Sequence, residues 1–372
     1  MTMTRAVQNP LKETLNLGQS LWYDGLIASE EFERMIRQDG LRGATTNPVI
    51  FEKAIAGGQV EAMLQGSGAS LKDEEIFKKI AIEAVQQVAD VFLPVYQQTA
   101  GQDGYISLEV NPLLAYDTDA TVREARELFE RVGRKNVMIK IPATAAGVPA
   151  IERVIADGIN VNVTLIFSVA RYREVMDAYL SGLESLSRAG KPVKQVASVA
   201  SFFVSRVDSA VDKILEQKIA ATTDSALKEL YRQLLGKIAI ANSKAAYAEF
   251  EETFARERYR ALKADGAQVQ RPLWASTGTK NPAYRDVLYV ESLIGPNTVN
   301  TVPPATLDAF RDHGQVSETL TEGLDAAKKT LEKLAFAGIE LSTVTEELEK
   351  AGVELFNEAY LKIIQRIKEK RK

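Results

Sequence analysis

Tyr105-Ile106-Ser107-Leu108-Glu109-Val110, and later Asn136-Val137-Met138-Ile139-Lys140-Ile141-Pro142-Ala143-Thr144, are the two runs that decide the fold. Each holds a short apolar, β-rich core ending in polar residues. The runs predict strands over Tyr105–Val110 and Val137–Ile141. Between them Ala120–Val132 has helical spacing and follows Asp117-Thr118-Asp119, a capping sequence. Strand, helix and strand in this order form one right-handed crossover unit between parallel strands.

Working outward, the same alternation recurs. Ser20–Tyr23 and Gly43–Thr46 lie on the N-terminal side, and Val161–Phe167, Val196–Phe203, Pro272–Ser276 and Thr298–Val302 on the C-terminal side. Glu74–Gln97, Ser168–Ala189 with a Ser N-cap, and Pro282–Leu293 with Pro in the first turn read as helices. Eight strands with intervening helices predict an α/β fold of the (β/α)8 TIM-barrel type, as one domain over 1–372. Two stretches exceed a minimal barrel. They are a long helical insertion over 224–263 and C-terminal helices over 318–372, broken near Gly338–Ser342, both expected as insertions or caps packed outside the barrel. Gly57–Gly58 and Gly66–Ser70 read as loop, and no internal repeat is visible.

The 372 residues carry 46 basic against 50 acidic side chains, a net charge of -4. Nothing resembles the basic stripe that nucleic-acid binding needs. No cysteine is present and His313 is the single histidine, so thiolate chemistry, disulfides and Cys/His zinc sites are excluded. The polar N-terminus and the absence of any long apolar run predict a cytoplasmic chain with no membrane partner. No acidic cluster at metal-binding spacing appears, so no metal is expected.

In a (β/α) barrel the C-terminal strand ends face the active site. That rule gathers Asp24, Asn47, Glu109, Lys140, Thr164, Ser201, Arg206, Ser276 and Lys280. Lys140 is the most telling, because it interrupts an otherwise apolar strand. Desolvation there favours the neutral amine, which can attack a ketone to give an electron-withdrawing imine. A lysine that snorkels to water or pairs with Glu109 is the competing reading. Asp24 and Glu109 offer the proton acceptors that aldol cleavage and imine formation require. Asn47 also reads as a turn residue before Pro48. Asn162 and Thr164, two apart, share one strand face, where they either bond each other or grip a hydroxylated ligand. Ser201 and Arg206, at a strand end and the following helix start, suit a phosphate, as do Ser276 and Lys280 after the seventh strand.

Gly43-Ala44-Thr45-Thr46-Asn47-Pro48 and Val137–Thr144 with Gly147 resemble the two signature segments of the transaldolase family. The likeness continues through Ser20–Asp24, Ile106–Val110, Gly158–Ser168, Ser201–Arg206 and Trp274–Ser276, in order along nearly the whole barrel. Length and insertion resemble the larger bacterial subfamily. The resemblance implies a Schiff base on Lys140, Asp24 as acid/base on the C4 hydroxyl, and Glu109 with Thr164 holding the water of imine formation and hydrolysis. It implies Asn47 and Asn162 on the dihydroxyacetone hydroxyls, Ser201 and Arg206 at the phosphate end, Lys280 near a further phosphate contact, and Phe203 over the imine. The implied substrates are sugar phosphates, namely fructose 6-phosphate, sedoheptulose 7-phosphate, erythrose 4-phosphate and glyceraldehyde 3-phosphate. No cofactor is implied, and the chain is expected as monomer or homodimer. A fructose-6-phosphate aldolase and a non-catalytic sugar-phosphate binder are the alternatives.

Overall fold

The computed structural model, which describes residues 9–56 and 71–371, joins eight parallel strands into one closed barrel in chain order. They are β1 (Gln19–Asp24), β2 (Gly43–Thr45), β3 (Tyr105–Glu109), β4 (Val137–Pro142), β5 (Val161–Ile166), β6 (Ser198–Phe203), β7 (Arg271–Ala275) and β8 (Thr298–Val302). β1 pairs with both β2 and β8, so the sheet has no edge. All eight predicted strands are present, with ends shifted by one or two residues. They are legible because a strand covered on both faces reads as a near-continuous apolar run. Every residue of β4 is buried, Lys140 included.

Capping residues fix the helices. Asp117 accepts from the Ala120 amide at 2.9 Å to start Thr118–Val132, and Ser168 accepts from Arg171 at 3.1 Å to start Val169–Arg188. The N-terminal floor of the barrel is closed by the buried ion pair Arg271–Asp103 at 2.8 Å. Asp103 also accepts from Ser20 at 2.7 Å and the Trp22 indole at 3.3 Å. Both charges of this pair are thus compensated by partners.

One expectation needs correction, and two helical stretches gain detail. Pro282–Leu293 is not one helix; only Leu288–Ser292 is helical. The chain before it is held in turns, with the Tyr284 amide on the Asn281 carbonyl, Ala283 on the Asn281 side chain, and the Tyr284 hydroxyl donating to Asp212 at 2.7 Å. The insertion is three helices, Ser225–Leu234, Ile238–Ala255 and Glu257–Ala264, interrupted at Gly236 with φ +69° and at extended Arg256. The C-terminal pair spans Leu324–Phe336 and Leu341–Lys370, and the second helix reaches the cavity at the barrel mouth. It crosses from the β5 side, where Glu349 pairs with Arg171 at 3.5 Å, to the helix after β2, where Arg366 pairs with Glu52 at 2.7 Å. The glycine stretches near 57 and 66 lie outside the described residues. Among the described residues no helix is long and apolar enough to cross a membrane.

Candidate active site

Strand register assembles the centre of the site. Glu109 stands beside Lys140, and Lys140 beside Asn162, on three successive strands. Thr164 lies one inward-facing step further toward the mouth, opposite Pro142. Lys140 is 5% exposed, so it does not snorkel to water. Its Nζ donates to the Thr46 carbonyl at 3.0 Å and lies 3.7 Å from Glu109 Oε2. The second separation is an ion pair without a hydrogen bond, and both Glu109 carboxylate oxygens lack a donor among the described residues. Thr164 Oγ1 is likewise buried and unpartnered. A buried polar atom left in this way costs about 1–3 kcal/mol, so each of these oxygens favours a small polar guest. Burial pushes the Glu109 carboxyl up, to about 7, against the opposing pull of the Lys140 ammonium.

Above this pair opens a cavity of about 290 Å³, near the lower end for small-molecule sites. Nine of the eleven residues singled out from sequence line it: Asp24, Asn47, Lys140, Thr164, Ser201, Phe203, Arg206, Ser276 and Lys280. Glu109 and Asn162 do not line it; Glu109 instead lines an adjoining cavity with Phe51, Asn111 and Tyr360. Asn162 is fully buried, donating to Ser107 at 2.9 Å and accepting from Ser201 at 2.7 Å. It thus belongs to an internal polar layer, and of the two readings of the Asn162–Thr164 pair only Thr164 reaches the cavity directly.

Asp24 ends β1, and its Oδ1 accepts from Thr45 Oγ1 at 2.8 Å. Burial raises its pKa, while Lys140, the Thr45 bond, Lys280 and Arg206 act the other way. Asn47 combines both roles weighed for it. Its Oδ1 accepts from the Ile50 amide at 3.0 Å, capping the helix Pro48–Ala56, and the rest of the side chain faces the cavity.

The rim is cationic. Arg206 begins the helix Ser205–Ala221 and stacks on Phe203, guanidinium to ring centroid 5.2 Å. Among the described residues no carboxylate lies within ion-pairing distance of it, so its guanidinium is not spent in a salt bridge. Burial lowers its pKa and Asp24 partly compensates. Exposed Lys280 joins it on the loop after β7. Ser276 on that loop has φ +57° and touches Ser205 Oγ at 3.0 Å. Leu165, next to Thr164, has φ +58° within an irregularity of β5. Each non-glycine residue in this region costs about 1–3 kcal/mol, and both stand at the mouth.

Sequence reasoning missed Lys53, Leu355 and Phe356, which also line the cavity. Lys53 had a usable signal, its i+4 spacing from Val49 on one helix face. The other two come from the helix Leu341–Lys370 and had none.

This assembly is matched by known proteins along nearly its whole length. The transaldolase/fructose-6-phosphate aldolase family matches residues 21–367. This chain belongs to that family. A protein named Transaldolase from Trichodesmium erythraeum is 46% identical over 372 residues, covering 98% of each chain. Another of the same name from Saccharopolyspora erythraea is 45% identical, covering 96% of this chain and 97% of its own. Transaldolase 2 of a Nostoc species is 43% identical, covering 97% of each.

Proposed function

We propose that this chain is a transaldolase of the pentose phosphate pathway, acting in the cytoplasm, that holds a dihydroxyacetone unit as an imine on Lys140. The observation that carries the reading is Lys140 itself, buried at the base of a cavity rimmed by Arg206 and Lys280 with Glu109 beside its nitrogen. A phosphate on the rim supplies binding energy remote from the reacting bond and positions the sugar carbons over the amine.

Lys140 attacks the C2 ketone of fructose 6-phosphate or sedoheptulose 7-phosphate. The departing water is held by Glu109 and Thr164, whose oxygens are otherwise unpartnered. Asp24, set by Thr45, takes the C4 hydroxyl proton as the C3–C4 bond breaks, and the electron pair passes into the imine. The aldehyde leaves, an acceptor aldehyde (erythrose 4-phosphate or glyceraldehyde 3-phosphate) enters, and the steps reverse. Asn47 and Asn162 orient the hydroxyls of the retained unit, Asn162 through an exchange of its present bonds. Ser201, Arg206, Ser276 and Lys280 hold the phosphate end, and Phe203 covers the imine.

With fructose 6-phosphate and erythrose 4-phosphate the expected products are glyceraldehyde 3-phosphate and sedoheptulose 7-phosphate, with little free dihydroxyacetone. Stoichiometric free dihydroxyacetone would instead identify a fructose-6-phosphate aldolase, and no turnover would favour a binding protein.

Glu109 gives this reading a pH signature. As the base that activates water on the imine it must be ionised, so the single-turnover rate of imine hydrolysis is expected to rise with pH through about 7. Glu109→Gln should lower that rate by roughly 10²–10⁴-fold and remove the rise. A rise preserved in the variant would assign it to another group.

A further inference from the structure

We infer that the C-terminal helix completes the active site. Its Phe356 shields the unit held on Lys140 from bulk water and thereby sets the balance between transfer and release of free dihydroxyacetone. The inference rests on the imine reading above.

The Phe356 ring centroid lies 5.8 Å from Lys140 Nζ, within cation–π range, and the ring lines the same cavity. Phe356 is 2% exposed while its neighbour Leu355, on the rim of that cavity, is 39% exposed. The helix is therefore a wall with one residue inside and the next at the opening. It is also keyed to the barrel. A Cβ at Gly352, one turn earlier, would lie 2.8 Å from Leu165 Cδ2, and Leu165 adjoins Thr164. Tyr360, one turn later, packs edge-on against Phe77 at 5.7 Å and accepts from Asn111 Nδ2 at 3.3 Å. Together with the ion pairs to Arg171 and Glu52, these contacts fix the ring beside the nitrogen.

After C3–C4 cleavage the three-carbon unit is an enamine on Lys140. Its C3 either attacks the acceptor aldehyde, forming a carbon–carbon bond, or takes a proton to give the iminium. In the second case water adds to C2, the C–N bond breaks, Lys140 regains its amine, the surplus proton returns to solvent, and dihydroxyacetone leaves. A phenyl ring offers C3 no proton and excludes bulk water that would, while its face favours the cationic nitrogen. The water needed to release the final ketose is held from below, at Glu109 and Thr164.

The test compares release of free dihydroxyacetone from fructose 6-phosphate alone with transfer to erythrose 4-phosphate. It uses the wild type, Phe356→Ala and Phe356→Leu, each checked for folding by its denaturation midpoint. The release-to-transfer ratio is expected to rise about 10-fold or more in Phe356→Ala and less in Phe356→Leu. Should Phe356→Ala fail to fold, Phe356→Leu, which keeps apolar volume, decides by the same ratio. Parallel loss of both rates at an unchanged ratio means that Phe356 only anchors the helix, and overturns the inference. A wild type that traps a three-carbon adduct on Lys140 while the ratio stays fixed sinks this inference alone. A wild type with no adduct there sinks the imine reading as well.

Discussion

Lys140→Ala is expected to lose turnover by at least ~10⁴-fold while the barrel stays folded, because the variant has no nucleophile to form the imine. The fold survives for a specific reason. Removing one member of a buried ion pair is normally severe, since it strands the other charge. Glu109 is the exception, because burial has already pushed its carboxyl up to about 7, and without the ammonium it takes a proton more readily still. What remains is a neutral acid and the Thr46 carbonyl without its 3.0 Å donor, at a cost of about 1–3 kcal/mol. Urea denaturation should thus show a modest shift beside an activity close to background. Lys140→Arg should be equally inactive, since a guanidinium stays protonated and cannot attack a ketone. Retained turnover in either variant would remove Lys140 from the chemistry.

Arg206→Ala is expected to raise KM for fructose 6-phosphate by about 10- to 150-fold, the equivalent of losing about 1.5–3 kcal/mol of charged hydrogen bonding. The kcat should fall less, and any slow reaction with unphosphorylated fructose should be unaffected. The reasoning is electrostatic and geometric. Arg206 is the inner member of the cationic rim, has no carboxylate partner among the described residues, and is held flat against Phe203 at 5.2 Å. Its pairing capacity is therefore uncommitted and its fork pre-oriented, so a phosphate gains bonds without breaking others. Arg206→Lys should recover only part of the loss, because an ammonium neither stacks on Phe203 nor binds phosphate bidentately. Unchanged kinetics in Arg206→Ala would move the phosphate toward Lys53 and Lys280, which line the outer part of the same cavity.

The barrel was legible because its strands must be apolar on both faces, and β3, β4 and β5 stand out as such runs between capped helices. Lys140 was legible for the same reason, as a charge in the middle of the otherwise apolar β4. Asp24, Glu109, Thr164, Ser276 and Arg206 followed from position alone, since strand ends in a barrel converge on one face. Pro282 misled because its fixed φ suits a tight turn as well as a first helical turn, and the bond from Tyr284 to Asp212 that decides between them is tertiary. Arg206 could not be told from a surface ion-pair residue until the lack of a carboxylate at ion-pairing distance among the described residues was visible. Leu355 and Phe356 had no signal at all. They are two apolar residues of an amphipathic helix, and only the path of that helix from Arg171 to Glu52 brings them to Lys140. Local pattern reports which residues are buried, not which strand end a distant helix will cover.

The central claim is that a sheltered amine at position 140 becomes covalently bonded to the sugar. Incubating the protein with fructose 6-phosphate, reducing with borohydride and mapping the peptides tests it directly. A single added three-carbon mass on Lys140, absent when the sugar is omitted, is the predicted result. A protein that turns over the sugar but yields no adduct, or carries the mass on another lysine, would contradict it.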